Sequence, residues 1–128
     1  MSLSIAEVAE RTGLSAHTLR YYERDGLMLG EVGRSASGHR SYTERELGWI
    51  ELISKLRSTG MPIRDVKKYA ALVRSGNGNE RDRLALLQAH RERVLAQLAV
   101  VQQHLGAIEY KIGFYSDLLE RDEDGALT

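Results

Sequence analysis

Apolar residues recur with a helical period in five stretches of this chain, and the period lapses once, across residues 30–42. The first stretch opens at Ser4-Ile5-Ala6-Glu7, a capping box in which Ser4 and Glu7 each satisfy an orphan backbone N–H. Ile5, Val8 and Ala9 form its apolar stripe, and Arg11-Thr12-Gly13 ends it. Leu14 and the cap candidate Ser15 then start a second helix, with Leu14 and Leu19 at the spacing of a hydrophobic staple. It runs to about Asp25 and stops at Gly26. Two short helices joined by a Gly-bearing turn predict a helix-turn-helix. Its outward face carries Ala16, His17, Arg20, Tyr21 and Arg24. A helical hairpin with a solvated charged face has the same pattern.

Between residues 30 and 42 the turn formers Gly30, Gly33, Ser35, Ser37 and Gly38 surround Arg34, His39, Arg40 and Tyr42. Short extended pieces here would make a β hairpin, or wing; a plain loop is the alternative. A second capping box, Thr43 with Glu46, opens a helix that buries Leu47, Ile50, Ile53 and Leu56, with Trp49 and Leu52 alongside. Gly60 stops it. Pro62 suits the first turn of the next helix, whose core positions are Ile63, Val66, Tyr69, Ala70 and Val73. Residues 77–79, within Ser75-Gly76-Asn77-Gly78-Asn79, read as a linker.

From Glu80 to Leu119 one helical pattern runs with glycine only at 106 and 113. Leu84, Leu87, Val94, Leu98, Val101, Leu105, Ile108, Ile112, Tyr115 and Leu119 keep a 3–4 alternation once Arg91 is inserted. That is a coiled-coil seam on a helix of about 60 Å at 1.5 Å per residue. A lone helix cannot bury such a seam, and no turn inside 80–119 allows it to fold back on itself. A second copy is the simplest partner, so the seam predicts a homodimer. The expected layout is a binding domain at 1–76, a linker at 77–79, a dimerisation helix at 80–119 and a short acidic tail at 120–128. The fold class is mainly α, with a small β wing.

Composition narrows the function. No apolar run reaches the roughly 20 residues of a membrane span, and Met1-Ser2-Leu3-Ser4 has neither a basic leader nor an apolar signal core, which places the chain in the cytoplasm. The absence of cysteine excludes disulfides, thiolate metal sites and thiol redox sensing. His90 and His104 are 14 positions apart on one helix, too far to share an ion within a chain, and read as solvated surface residues. No metal site and no cofactor is expected. Net charge is zero, yet residues 1–76 hold 12 Lys/Arg against 9 Asp/Glu, whereas residues 77–128 hold 6 against 9. A basic half and an acidic remainder suit a nucleic-acid binder. No phosphate-cradling glycine loop, histidine–carboxylate pair or metal set marks an enzyme.

The strings Thr18-Leu19-Arg20-Tyr21-Tyr22-Glu23, Gly26-Leu27, Arg34, Gly38-His39-Arg40-Ser41-Tyr42 and Gly60-Met61-Pro62-Ile63 resemble the MerR family of bacterial transcription regulators. The resemblance is detailed over residues 3–75 and general over the long helix. Two departures are His39, where the family usually has tyrosine, and Gly30, near a common proline position. The resemblance implies a winged helix-turn-helix whose dimer, joined by an antiparallel coiled coil, sits on a palindromic promoter operator. It bends and untwists spacer DNA so that RNA polymerase can engage both promoter elements. Arg20 and His17, near the start of the second helix, are placed to read base edges in the major groove. Ser15, Thr18 and Tyr21 offer hydroxyls to phosphate. Tyr22 reads equally as core or phosphate contact. Arg34, His39, Arg40 and Tyr42 are the DNA-contacting candidates of the wing, with Arg34 and Arg40 placed for backbone or minor-groove contact.

Metal-sensing relatives ligate through cysteines after the coiled coil, and this chain has none. A small organic effector in the crevice between binding domain and partner helix is one remaining kind of signal, with Tyr69, Tyr110, Phe114 and Tyr115 as candidate liners that also read as packing residues; a regulator with no ligand is the equal alternative. A coiled-coil interaction adaptor without specific DNA binding is the other functional class the pattern allows.

Overall fold

The computed structural model describes residues 2–123. Ser4 serves two elements at once. It pairs with Ser41 in a sheet and caps the first helix, accepting from Glu7 N at 3.1 Å while Glu7 Oε1 accepts from Ser4 N at 3.0 Å. Strand β1 (Leu3–Ser4) therefore runs straight into α1 (Ile5–Thr12). Gly13 makes the turn at φ 74°, its N–H donating to the Ala9 carbonyl, and Ser15 caps α2 (Ala16–Arg24). A left-handed φ of that kind suits glycine because it has no Cβ.

After α2 the chain passes through a loop to β2 (Gly33–Arg34) and β3 (Arg40–Tyr42). The antiparallel sheet has the order β1-β3-β2, with Leu3 opposite Tyr42, Gly33 opposite Ser41, and Arg34 opposite Arg40. Residues 30–42 thus form the expected wing. Its third strand, β1, was not legible in the sequence, because two residues before a capping box show no alternation.

Helix α3 (Glu44–Ser58) starts at the Thr43–Glu46 capping box, and α4 (Ile63–Arg74) follows Pro62, which sits at the cap position, one residue before the helix. The expected faces are the buried ones: Leu47, Trp49, Ile50, Ile53 and Leu56 on α3, and Val66, Tyr69 and Ala70 on α4, with Leu52, Ile63 and Val73 partly buried beside them. Trp49 and Tyr69 stack at 5.6 Å. Tyr69 is thus a packing residue of this core.

The loop after α2 also enters the core. Leu27, Met28 and Val32 are buried, and buried loop carbonyls need partners. The indole N–H of Trp49 donates to the Leu27 carbonyl at 2.7 Å. Arg74 Nη1 donates to the carbonyls of Gly26 and Met28 at 2.8 and 2.7 Å. Residues 75–79 are likewise tied down: Asn79 donates to the Leu72 carbonyl at 2.8 Å and accepts from Arg83 Nε at 2.6 Å.

Helix α5 (Glu80–Glu123) continues four residues beyond the expected end at Leu119, so residues 120–123 are helical; residues 124–128 of the expected tail lie outside the described residues. The chain divides into two compact units at His90 and Arg91. In the first, Leu86 and Leu87 pack on the core, so Leu87, expected in the dimer seam, is engaged within its own chain. His90 departs from the solvated reading: it is 5% exposed, with Nε2 at 2.8 Å from the Thr59 hydroxyl. In the second unit, Leu98, Val101, Leu105, Ile108, Ile112, Tyr115 and Leu119 are each about half exposed or more. Among the described residues no helix is long and apolar enough to cross a membrane.

Trp49→Phe should keep most of the buried area and strand the Leu27 carbonyl, at a cost of about 1–3 kcal/mol; the urea midpoint at fixed protein concentration measures it. The capping bonds from Ser4 hold the Glu7 carboxyl below its ordinary value of 4.5. A lowered folded value means that the proton binds more tightly to the unfolded chain. The stabilisation is therefore complete above the ordinary value and lost as pH falls through the lowered one. Wild type should exceed Glu7→Gln in stability at neutral pH, and the gap should close on acidification.

Candidate nucleic-acid interface

Helix α2 turns one side inward through Leu19 and Tyr22, and at 3.6 residues per turn this leaves His17, Arg20 and Arg24 exposed on the other. Ser15 Oγ accepts from Thr18 N at 3.1 Å and donates to Thr18 Oγ1 at 3.0 Å. Ser15 has thus committed its proton to the Thr18 hydroxyl, while Thr18 keeps its own to donate. Tyr21 is half-buried against the core, 6.2 Å from the Tyr22 ring. Tyr22 itself resolves toward packing. It is 4% exposed, and burial pushes its phenol above its ordinary value of 10.0, with Arg57 opposing.

In the wing, the tip closes through Ser35 N to the His39 carbonyl at 2.7 Å and Gly38 N to the Ser35 carbonyl at 2.9 Å. His39 is exposed, with Nδ1 engaged by the Ser37 hydroxyl at 3.0 Å. Arg34 is exposed and makes only a long contact, 3.5 Å, to the Gly38 carbonyl. Arg40 and Tyr42 share one side of β3, because strand side chains alternate, and that side faces inward. Tyr42 is 1% exposed, so burial in the core takes the place of the DNA contact expected of it. Burial first, then the nearby Glu23 carboxylate, raise its phenol above 10.0; Arg40 acts the other way.

Arg40 Nε donates to Glu23 Oε2, with both side chains about one-fifth exposed. This ion pair ties the wing to α2 across 17 positions of sequence. Sequence reasoning placed Arg40 in the site and missed Glu23, since nothing in the local pattern distinguishes a paired carboxylate on a helix flank from a solvated one. Arg20, His17, Arg24, Arg34 and His39 remain as exposed donors on α2 and the wing. Below the wing, an open groove of about 780 Å³ is lined by Gly30, Glu31, Arg34, Arg45, Glu46 and Arg74 among others.

Comparison with known proteins agrees with this architecture. The model of the MerR HTH family of regulatory proteins matches residues 3–72. An HTH-type transcriptional regulator of Haemophilus influenzae is 37% identical over 115 residues, covering 90% of this chain and 84% of that one. The regulator AdhR of Bacillus subtilis is 40% identical over 93 residues, 73% of this chain and 66% of AdhR. Among solved structures, HiNmlR, a MerR family regulator lacking the sensor domain and bound to promoter DNA, superposes with a TM-score of 0.84 at 34% identity, covering 99% of this chain and 93% of HiNmlR. A MerR family regulator from Bacillus thuringiensis gives 0.78 at 30% identity, covering 90% and 100%. With the family model spanning more than half of its residues, and with its fold shared end to end, this chain belongs to the MerR family of helix-turn-helix transcriptional regulators.

Proposed function

We propose that this regulator binds a palindromic promoter operator in double-stranded DNA as a homodimer and distorts the spacer so that RNA polymerase engages both promoter elements. The observation that carries the reading is the two-sided α2, with Leu19 and Tyr22 locked in the core while His17, Arg20 and Arg24 stand exposed beside the wing. In this reading α2 enters the major groove, where Arg20 is shaped for bidentate contact with guanine and His17 donates to a base or to phosphate. Ser15, Thr18 and Tyr21 lie at the flank of α2, and Arg34, His39 and Arg40 meet phosphates from the wing. Tyr22 and Tyr42 support these contacts from within the core.

The exposed seam of α5 supports the dimer. Burying a Val-, Leu- or Ile-sized side chain is worth roughly 1.5–3 kcal/mol, and Leu98, Val101, Leu105, Ile108, Ile112 and Leu119 are each about half exposed or more. The solved complex of HiNmlR with promoter DNA supports the operator reading by similarity. A small organic effector would act by favouring either the straight or the distorted complex. The setting is the cytoplasm, where the promoter is.

Affinity for the protein's own promoter region and for a random duplex, measured across salt concentrations, tests the reading. The promoter should be preferred, and log affinity should fall with log salt by about 0.9 per phosphate neutralised. Arg20→Ala should reduce the preference by about 1–3 kcal/mol. A folded dimer that binds no DNA would instead identify a coiled-coil interaction adaptor. Ile108→Asp should convert the dimer to a monomer of 14.4 kDa by sedimentation while residues 1–90 remain folded; a variant that stays dimeric would remove α5 as the interface.

A further inference from the structure

The Arg40–Glu23 pair joins two elements that the proposed function uses separately, the wing and the groove-entering helix. Glu23 lies four positions after Leu19 and three after Arg20, on the border between the buried and the exposed faces of α2. A carboxylate there stands on the face of the molecule that meets phosphates, where an unpaired negative charge would oppose binding. On the other side, Arg40 is directly opposite Arg34 in the hairpin. Like charges directly opposite across strands repel. Glu23 answers both problems with one contact, because its carboxylate neutralises Arg40 and leaves Arg34 without an ion pair among the described residues. The contact uses Nε of Arg40, so the two terminal guanidinium nitrogens retain their N–H groups for other acceptors. The buried Tyr42, on the same side of β3, lies near enough for both charges of the pair to act on its phenol.

We infer that Glu23 is a positioning residue for operator recognition: it holds Arg40 against α2 as an internal stand-in for phosphate, and so sets the wing's placement relative to the base-reading side chains. The inference rests on the DNA-binding reading above. It assigns α2 a role beyond base readout, since the helix that reads sequence also sets where the wing contacts the backbone. Discrimination then depends on a rigid wing–helix unit, and loosening that unit favours indiscriminate phosphate binding.

Four proteins measured on promoter and random duplexes over a range of salt separate this role from a structural one. Glu23→Gln removes one negative charge and frees Arg40. It should bind the random duplex more tightly, steepen the salt slope by about one, and lower the promoter-to-random ratio by about fivefold or more. Arg40→Gln leaves Glu23 facing phosphate and should weaken binding to both duplexes with a shallower slope. In the double variant, Glu23→Gln should change the ratio no further, because the partner through which it acts is gone. An unchanged slope and ratio in Glu23→Gln, or an equal effect of that substitution with and without Arg40, would overturn the inference while leaving the DNA-binding reading intact. Wild-type protein that binds neither duplex would remove both together. Arg40→Gln carries the same comparison from the other partner should Glu23→Gln fold poorly.

Discussion

The buried loop between α2 and the wing is the joint on which the N-terminal unit depends. Leu27 and Met28 are buried, and their carbonyls find donors inside the protein. The donors come from two other elements, the indole of Trp49 on α3 and the guanidinium of Arg74 on α4. A loop held in this way acts as a rigid strut. It fixes where α2 ends and where β2 begins, and it brings α3 and α4 against the helix-turn-helix. An apolar side chain of similar size in place of either donor would fill the space and leave the loop carbonyls unpaired, which costs more than the bond itself contributes.

On this strut the interface divides by chemistry. The inward residues of α2 and β3, including the aromatics Tyr22 and Tyr42, supply packing, and the outward ones supply charge. Arg40 sits between these groups. Its strand position turns it inward with Tyr42, and the Glu23 carboxylate compensates the guanidinium there. The wing and α2 are therefore one electrostatic unit as well as one packed unit.

The long helix follows a different logic. Its first three turns, up to His90, are part of the N-terminal unit through Leu86, Leu87 and the Thr59–His90 hydrogen bond. From Leu98 onward its apolar seam residues are each about half exposed or more. One uninterrupted helix thus carries two kinds of apolar position: those packed within the chain, and those left exposed as the proposed dimer seam.

The sequence by itself determined what depends on neighbours in the chain. Capping boxes at Ser4–Glu7 and Thr43–Glu46, the helix-turn-helix, the core faces of α3 and α4 and the seam of α5 all follow from periodicities and short-range bonds, which act over three to seven residues. The family strings from Thr18 to Ile63 carry the same local information. Tertiary structure alone decided whatever required two distant segments to meet. It added β1 to the sheet, buried Tyr22, Tyr42, His90 and the loop at Leu27, and turned Arg40 toward Glu23. Burial and pairing at those positions depend on what lies across the core, at separations of 17 residues for Arg40 and Glu23 and 31 for Thr59 and His90. No periodicity along a chain encodes a partner that only folding brings within reach.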